Sequence, residues 1–219
     1  MSGGIRRRGG LEIFGFPLRV HPTAVFLILL LSFAFRGAGR NGASMAIMAF
    51  VVIVVSILVH ELGHAFVARR MKLGPVEIML HGFGGLASFS KRPTNKQGFL
   101  VSLAGPLAGL SLGAIAWLVE PMVVNEGTHF LVVFGLELLI WINIFWSFFN
   151  LLPMYPLDGG QVMWHALALK MSPYRARKIT RQVSLGTAAV IGVYSMLQGW
   201  IFIALVCLFV YSENVRVRS

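Results

Sequence analysis

Cysteine is nearly absent from this chain. Cys207 is the only cysteine among 219 residues, and it lies within an apolar run. A single thiol excludes a disulfide framework within the chain and a metal cluster held by several thiolates. A metal ion bound by this sequence must therefore be held by histidine, aspartate or glutamate.

Charged residues are also few. They make up 12% of the chain, whereas 57% is hydrophobic and the mean hydropathy is +0.77. A typical soluble domain carries about 25% charged residues. The apolar residues form several separated runs, which excludes a soluble domain with a single anchor. We expect residues 1–219 to form one integral-membrane domain that crosses the bilayer repeatedly.

Acidic residues are the scarcest charged group, with 8 against 19 lysines and arginines, and the net charge is +11. Such a balance indicates nucleic-acid binding when the basic residues form a stripe on a soluble domain. Here they gather in short segments between apolar runs, so nucleic acid is excluded as a partner.

The apolar runs predict the number of membrane crossings. At about 20 apolar residues per crossing, we predict an all-α bundle of about six transmembrane helices at 20–36, 46–68, 98–119, 130–152, 180–196 and 198–213.

The basic residues are distributed unevenly about these six spans. All of them except Arg36 and Arg40 fall on one side of the bilayer. The positive-inside rule makes that side cytoplasmic. We therefore expect both termini in the cytoplasm and the protein in a prokaryotic cell membrane, the inner one where there are two.

The connection between the second and third spans contains VEIMLHGFGGLASFS. Its β-branched and other apolar residues flank Gly82, Gly84 and Gly85, which is typical of a glycine-turned hairpin. We predict a short membrane-associated β-hairpin between spans 2 and 3. The alternative is a re-entrant loop that plugs the bundle.

The second span contains HELGH, an H-E-x-x-H motif. On a helix, His60 and His64 lie one turn apart on one face, so both imidazoles can reach one metal ion. Glu61 lies beside them and is suited to act as a general base that moves a proton from water to a leaving amine. Ionisable groups inside an apolar helix cost about 2.5 kcal/mol or more to insert, so they are usually functional.

A catalytic zinc site generally has three protein ligands, so the sequence must supply one more. The best candidate is Asp158, the only aspartate of the chain, in FNLLPMYPLDGGQVMW at the end of the fourth span. Pro153 and Pro156 break the helix there, and Gly159 and Gly160 let the backbone turn inward. An ordinary Asp-Gly turn or a helix N-cap is the alternative role for this aspartate.

With these motifs in place, the sequence resembles the site-2 protease family of intramembrane zinc metalloproteases, in a minimal form without a PDZ or CBS domain. The resemblance rests on four motifs that follow one another in the family's order. They are HELGH at 60–64, HGFGG at 81–85, SLAGPLAG at 102–109 and NLLPMYPLDGG at 150–160.

The resemblance implies a role for each matching residue. His60, His64 and Asp158 would hold one zinc ion per chain, and Glu61 would be the catalytic base. Asn150 would hold the substrate backbone or stabilise the oxyanion. A hydrogen bond between packed helices is the alternative role for Asn150.

The resemblance also assigns substrate docking to the hairpin, through His81, Gly82, Phe83, Gly84 and Gly85. A transmembrane helix hides its amides in internal hydrogen bonds, so a scissile segment must unwind, and an edge strand would hold it extended.

Gly105, Gly109 and Gly113 recur every four residues in the third span. Close helix packing explains this spacing without any chemistry. We expect it to let the third span approach the helix that carries the HELGH motif.

The predicted function is hydrolysis of a peptide bond within or beside the transmembrane helix of a membrane-protein substrate, in regulated intramembrane proteolysis. A metal or proton transporter would favour repeated halves, and this chain shows none. A catalytically dead adaptor would lack Glu61 or a ligand, and all are present. Partners are then the substrate and membrane lipids, and the sequence leaves open a homo-oligomer or a regulatory membrane partner.

Overall fold

The computed structural model describes residues 11–37, 39–81 and 84–216 of the chain. α-Helices dominate these residues, and four short strands form one sheet. The strands are β1 (Glu12–Ile13), β2 (Phe16–Val20), β3 (Val76–His81) and β4 (Gly84–Phe89). The helices are α1 (Pro22–Phe33), α2 (Gly42–Arg70), α3 (Asn95–Val123), α4 (Phe130–Asn150), α5 (Asp158–Ala168), α6 (Pro173–Leu197) and α7 (Ile201–Arg216).

Three segments are long and apolar enough to cross a membrane within the described residues. They are Gly39–Arg70, which is α2 with the turn before it, Asn95–Val123 and Phe130–Asn150. These segments confirm the expectation for spans 2, 3 and 4.

The other three predicted spans correspond to α1, α6 and α7. At about 1.5 Å per residue, the 12 residues of α1 and the 16 of α7 fall short of a hydrocarbon core of about 30 Å. The 25 residues of α6 are long enough, but its first turns carry Arg175, Arg177, Lys178 and Arg181. The structure supports a helical membrane fold with three clear spans, whereas the sequence predicted six.

The predicted hairpin between spans 2 and 3 is confirmed. β3 and β4 pair antiparallel, with His81 opposite Gly84 and Val76 opposite Phe89. The structure adds β1 and β2, which the sequence did not predict, and the sheet order is β1-β2-β3-β4 with β2 parallel to β3. Within the described residues β4 therefore lies at one edge of the sheet.

The sheet packs on α2 through one face of β3. Val76, Ile78 and Leu80 alternate inward and are buried together with Phe16 and Ala65. This alternation is the period of two that a half-buried strand requires. Arg19 of β2 forms an ion pair with Glu77. The hairpin is thus fixed beside the HELGH segment.

The small residues of α3 bring it close to α2, as predicted, and also to α4. A Cβ at Gly63 of α2 would overlap the carbonyl of Ala104, and a Cβ at Gly109 would overlap the Ser147 hydroxyl of α4. Between α2 and α4, Asn143 donates a hydrogen bond to Ser56 at 2.8 Å. Interior hydrogen bonds and small residues are the usual means of packing spans against one another.

The loop between α4 and α5 is anchored by α6 and α7. The backbone N–H of Tyr155 donates to the Ser184 hydroxyl at 2.8 Å, and Asn214 donates to the Tyr155 carbonyl. Met154 is fully buried in a cluster with Cys207 and Val210. These contacts fix the point from which α5 begins, and therefore the position of Asp158.

Candidate metal centre

His60 and His64 lie on one face of α2, as their spacing predicts. Their Nε2 atoms are 3.2 Å apart, and both side chains are buried. The Nδ1 atom of His64 is 2.7 Å from the carbonyl of Val101 in α3. Nδ1–H donates to this carbonyl, so in the neutral imidazole Nε2 carries the lone pair that a metal binds.

Asp158 completes the group from another helix. Its Oδ2 is 3.0 Å from Nε2 of His60, and its Oδ1 is 3.4 Å from Nε2 of His64. The residue is buried and is the first of α5, whose N-cap is Leu157. The isolated-turn and N-cap alternatives for Asp158 are therefore wrong, because its carboxylate points at the histidines.

The donor set fits a zinc ion. Tetrahedral zinc with bonds of about 2.0–2.2 Å places its ligand atoms about 3.3–3.5 Å apart. In the described part of the chain, the donor atoms of His60, His64 and Asp158 all lie within 4.8 Å of one another. Two imidazoles and one carboxylate are three ligands, the number that catalytic zinc sites use.

Gly105 of α3 lies directly against the two imidazoles. A Cβ at this position would overlap Nε2 of His64 and crowd Nε2 of His60. The sequence predicted only a packing role for Gly105. The structure shows that it also leaves room for the two histidine ligands.

We expect Gly105→Ala to displace the imidazoles and to lower the zinc content of the purified protein well below one per chain. Elemental analysis of the monodisperse protein measures this content. Gly186→Ala is the matched control, because a Cβ at Gly186 has open space around it. Full zinc occupancy in Gly105→Ala would show that α3 can move aside.

Glu61 lies next to the metal group without joining it. Its side chain is buried, its Oε2 has no hydrogen-bond partner among the described residues, and its carboxylate accepts a hydrogen bond from the backbone N–H of Ala87. A Cβ at Gly85 would overlap this carboxylate, so β4 lies directly over it. A carboxylate held this way has one oxygen available to a proton.

Three of the five hairpin residues predicted to dock substrate lie in the described strands. His81 ends β3, and Gly84 and Gly85 begin β4. The other two, Gly82 and Phe83, lie outside the described residues. Burial lowers the pKa of the His81 imidazole, and His21 lowers it further. His81 is not part of the metal group.

Asn150 is the last residue of α4 and is buried. It lies before the loop that leads to Asp158, and its role toward substrate stays a prediction. Sequence reasoning did not identify Val101 or Ala87, which contribute only backbone groups. Every residue carries such groups, so no sequence signal could have found them.

The fold and the metal group together define a class: helical membrane proteins in which an H-E-x-x-H helix and an aspartate from a second helix form a metallopeptidase-type centre. The model of peptidase family M50 matches residues 48–129 and 122–191. The chain belongs to this family.

Individual relatives agree with this assignment. A zinc metalloprotease of Methanocaldococcus jannaschii is 30% identical over 91% of this chain and 57% of its own length. Stage IV sporulation protein FB of Bacillus subtilis is 27% identical over 75% of this chain and 58% of its own length. The chain thus spans less than two thirds of these curated relatives.

Among solved structures, a site-2 protease from Methanocaldococcus jannaschii is similar with a TM-score of 0.67 and 28% identity. The match covers 94% of this chain and 92% of that chain. The resemblance predicted from the sequence motifs is confirmed.

Proposed function

We propose that this chain is an intramembrane zinc metalloendopeptidase that hydrolyses a peptide bond within or beside the transmembrane helix of a membrane-protein substrate. The observation that carries the proposal is the convergence of three ligands beside Glu61. His60 and His64 come from the apolar helix α2, as Glu61 does, and Asp158 comes from α5. His60 lies ten residues before the end of α2, about 15 Å along the helix. A centre at that depth meets substrates that are themselves in the membrane.

The residues of the centre divide the chemistry between them. His60, His64 and Asp158 would hold zinc, which when bound supplies Lewis-acid polarisation of water and of the scissile carbonyl. Glu61 takes the proton from the attacking water as the new C–O bond forms. It then gives this proton to the leaving amine as the C–N bond breaks, so the carboxylate returns to its starting state.

The position of β4 supports a role in substrate docking. Among the described strands, β4 is at one edge of the sheet and lies over Glu61, so an extended segment paired with this edge would pass close to the base. Asn150 is proposed to bind the substrate backbone or the oxyanion. A sporulation protein among the relatives is in keeping with regulated intramembrane proteolysis.

We extend the proposal to topology. α6 and α7 expose large apolar side chains, among them Val190, Leu197 and Ile201, as lipid-facing helices do. With α1 they would enter the membrane where the sequence predicts the other three spans. With this topology, the excess of basic residues supports the proposal that both termini, and the connections beside the centre, lie on the cytoplasmic side.

We expect zinc removal to stop cleavage of a substrate helix reconstituted with the protein in proteoliposomes. Treatment with a chelator should abolish product formation, and stoichiometric zinc should restore it, whereas magnesium should not, because the donor set is rich in imidazole. Gel analysis of the substrate measures the outcome. Undiminished cleavage by protein shown to contain no zinc would contradict the proposal.

A further inference from the structure

A cavity lies between α5, α6 and α7, apart from the metal centre. It is lined by Tyr155, Trp164, Arg177, Thr180, Arg181 and Asn214. Its empty volume is about 520 Å³, part of which is open to solvent. No carboxylate side chain is among these lining residues.

Two residues that line this cavity carry buried donors with no partner among the described residues. The Thr180 side chain is 4% exposed, yet its hydroxyl makes no hydrogen bond. Threonine within a helix usually bonds the carbonyl one turn before it, so an unbonded hydroxyl is a conspicuous exception. The indole N–H of Trp164 is likewise buried without an acceptor. An unsatisfied buried donor is unfavourable unless a ligand accepts a hydrogen bond from it.

Two guanidinium groups lie on the same wall. Arg177, Thr180 and Arg181 are spaced i, i+3 and i+4 on α6 and share one face of the helix. Arg181 donates through Nε to the Asn214 carbonyl at 2.6 Å, which orients its terminal N–H groups. The residues that line the cavity therefore carry two cations and two neutral donors without a partner among the described residues.

We infer that this cavity binds a phosphate group, and that the phosphate is the headgroup of an anionic phospholipid. Phosphate oxygens accept hydrogen bonds from guanidinium, hydroxyl and indole donors together. The cavity lies where the basic first turns of α6 give way to an apolar segment that exposes Val190 and Val193. That junction is the level of lipid headgroups for a helix that enters a bilayer.

The site is connected to the loop that carries Asp158. Asn214 donates to the carbonyl of Tyr155, and both residues line the cavity. A bound phosphate would hold α6 and α7 against this loop. The inference does not depend on the proteolytic activity, since it concerns binding alone.

The test measures lipid retention by the purified protein in detergent, using native mass spectrometry with short-chain phosphatidylglycerol as the probe. Arg177→Gln should weaken retention about tenfold, because it removes a charge-assisted hydrogen bond. Thr180→Val should weaken it about fivefold without loss of folding, since the lost hydroxyl has no partner in the protein. Arg175→Gln is the matched control, because Arg175 is exposed and lies on a different helical face.

Retention that is unchanged in Arg177→Gln and Thr180→Val, or that falls equally in Arg175→Gln, would overturn the site. Inorganic phosphate supplies the second arm. If it displaces the lipid at equal concentration with the same dependence on Arg177 and Thr180, the ligand is a soluble phosphate and the lipid assignment is wrong. If inorganic phosphate displaces the lipid only at a much higher concentration, the result supports the assignment of the ligand as a phospholipid.

Discussion

Replacing Glu61 by glutamine is expected to lower the rate of peptide-bond cleavage by about 100- to 10 000-fold while the zinc content stays at one per chain. Glutamine has the same size, so it fits beneath Gly85 and still accepts from the backbone N–H of Ala87. It cannot take a proton from water. The ligand group of His60, His64 and Asp158 is untouched.

Two measurements on the same preparation decide this prediction, single-turnover cleavage in proteoliposomes and elemental analysis for zinc. Glu137→Gln is the control, because Glu137 is a second carboxylate within a span but is exposed on α4. It should cleave at the wild-type rate. Wild-type cleavage by Glu61→Gln would remove Glu61 from the mechanism, and loss of zinc would make it a ligand.

The three clear spans and the pairing of His60 with His64 could be predicted because both depend on local rules. An apolar run of sufficient length predicts a span, and the helical repeat sets residues four apart on one face. Asp158 could be predicted as well, since it is the only aspartate and a catalytic zinc site needs a third ligand.

The four-stranded sheet could not be predicted, because its pairing is not local. β2 pairs with β3 about sixty residues later in the chain, with Leu18 opposite Ile78. The sequences of β3 and β4, in contrast, lie in one short segment in which glycines stand between apolar residues. Parallel pairing between separate segments leaves no turn signal in the sequence.

The second roles of Gly85 and Gly105 also require the structure. The sequence marked Gly85 as a turn residue and Gly105 as a packing residue. In the fold, Gly85 leaves room for the Glu61 carboxylate and Gly105 leaves room for the imidazoles. These roles depend on how closely α3 and β4 approach α2, which the sequence of any one element does not contain.

Replacing Asp158 by alanine is expected to lower the zinc content of the purified protein far below one per chain and to abolish cleavage with it. Loss of a residue that only supports a ligand already costs about 10- to 100-fold in affinity, so loss of a ligand costs at least as much. The two remaining imidazoles, with Nε2 atoms 3.2 Å apart, carry no negative charge to offset that of zinc.

Asp158→Asn separates loss of the ligand from loss of the fold, because it keeps the volume of a side chain buried at the start of α5. Both variants should unfold at the same temperature with and without added zinc, whereas zinc should raise the Tm of the wild-type protein. Asn150→Ala should keep its zinc and lose cleavage, since Asn150 is proposed to contact substrate. Full zinc content in both Asp158 variants would require a different third ligand. The two histidines of α2 would then still hold the metal, but the helix that completes the centre would have to be found elsewhere in the chain.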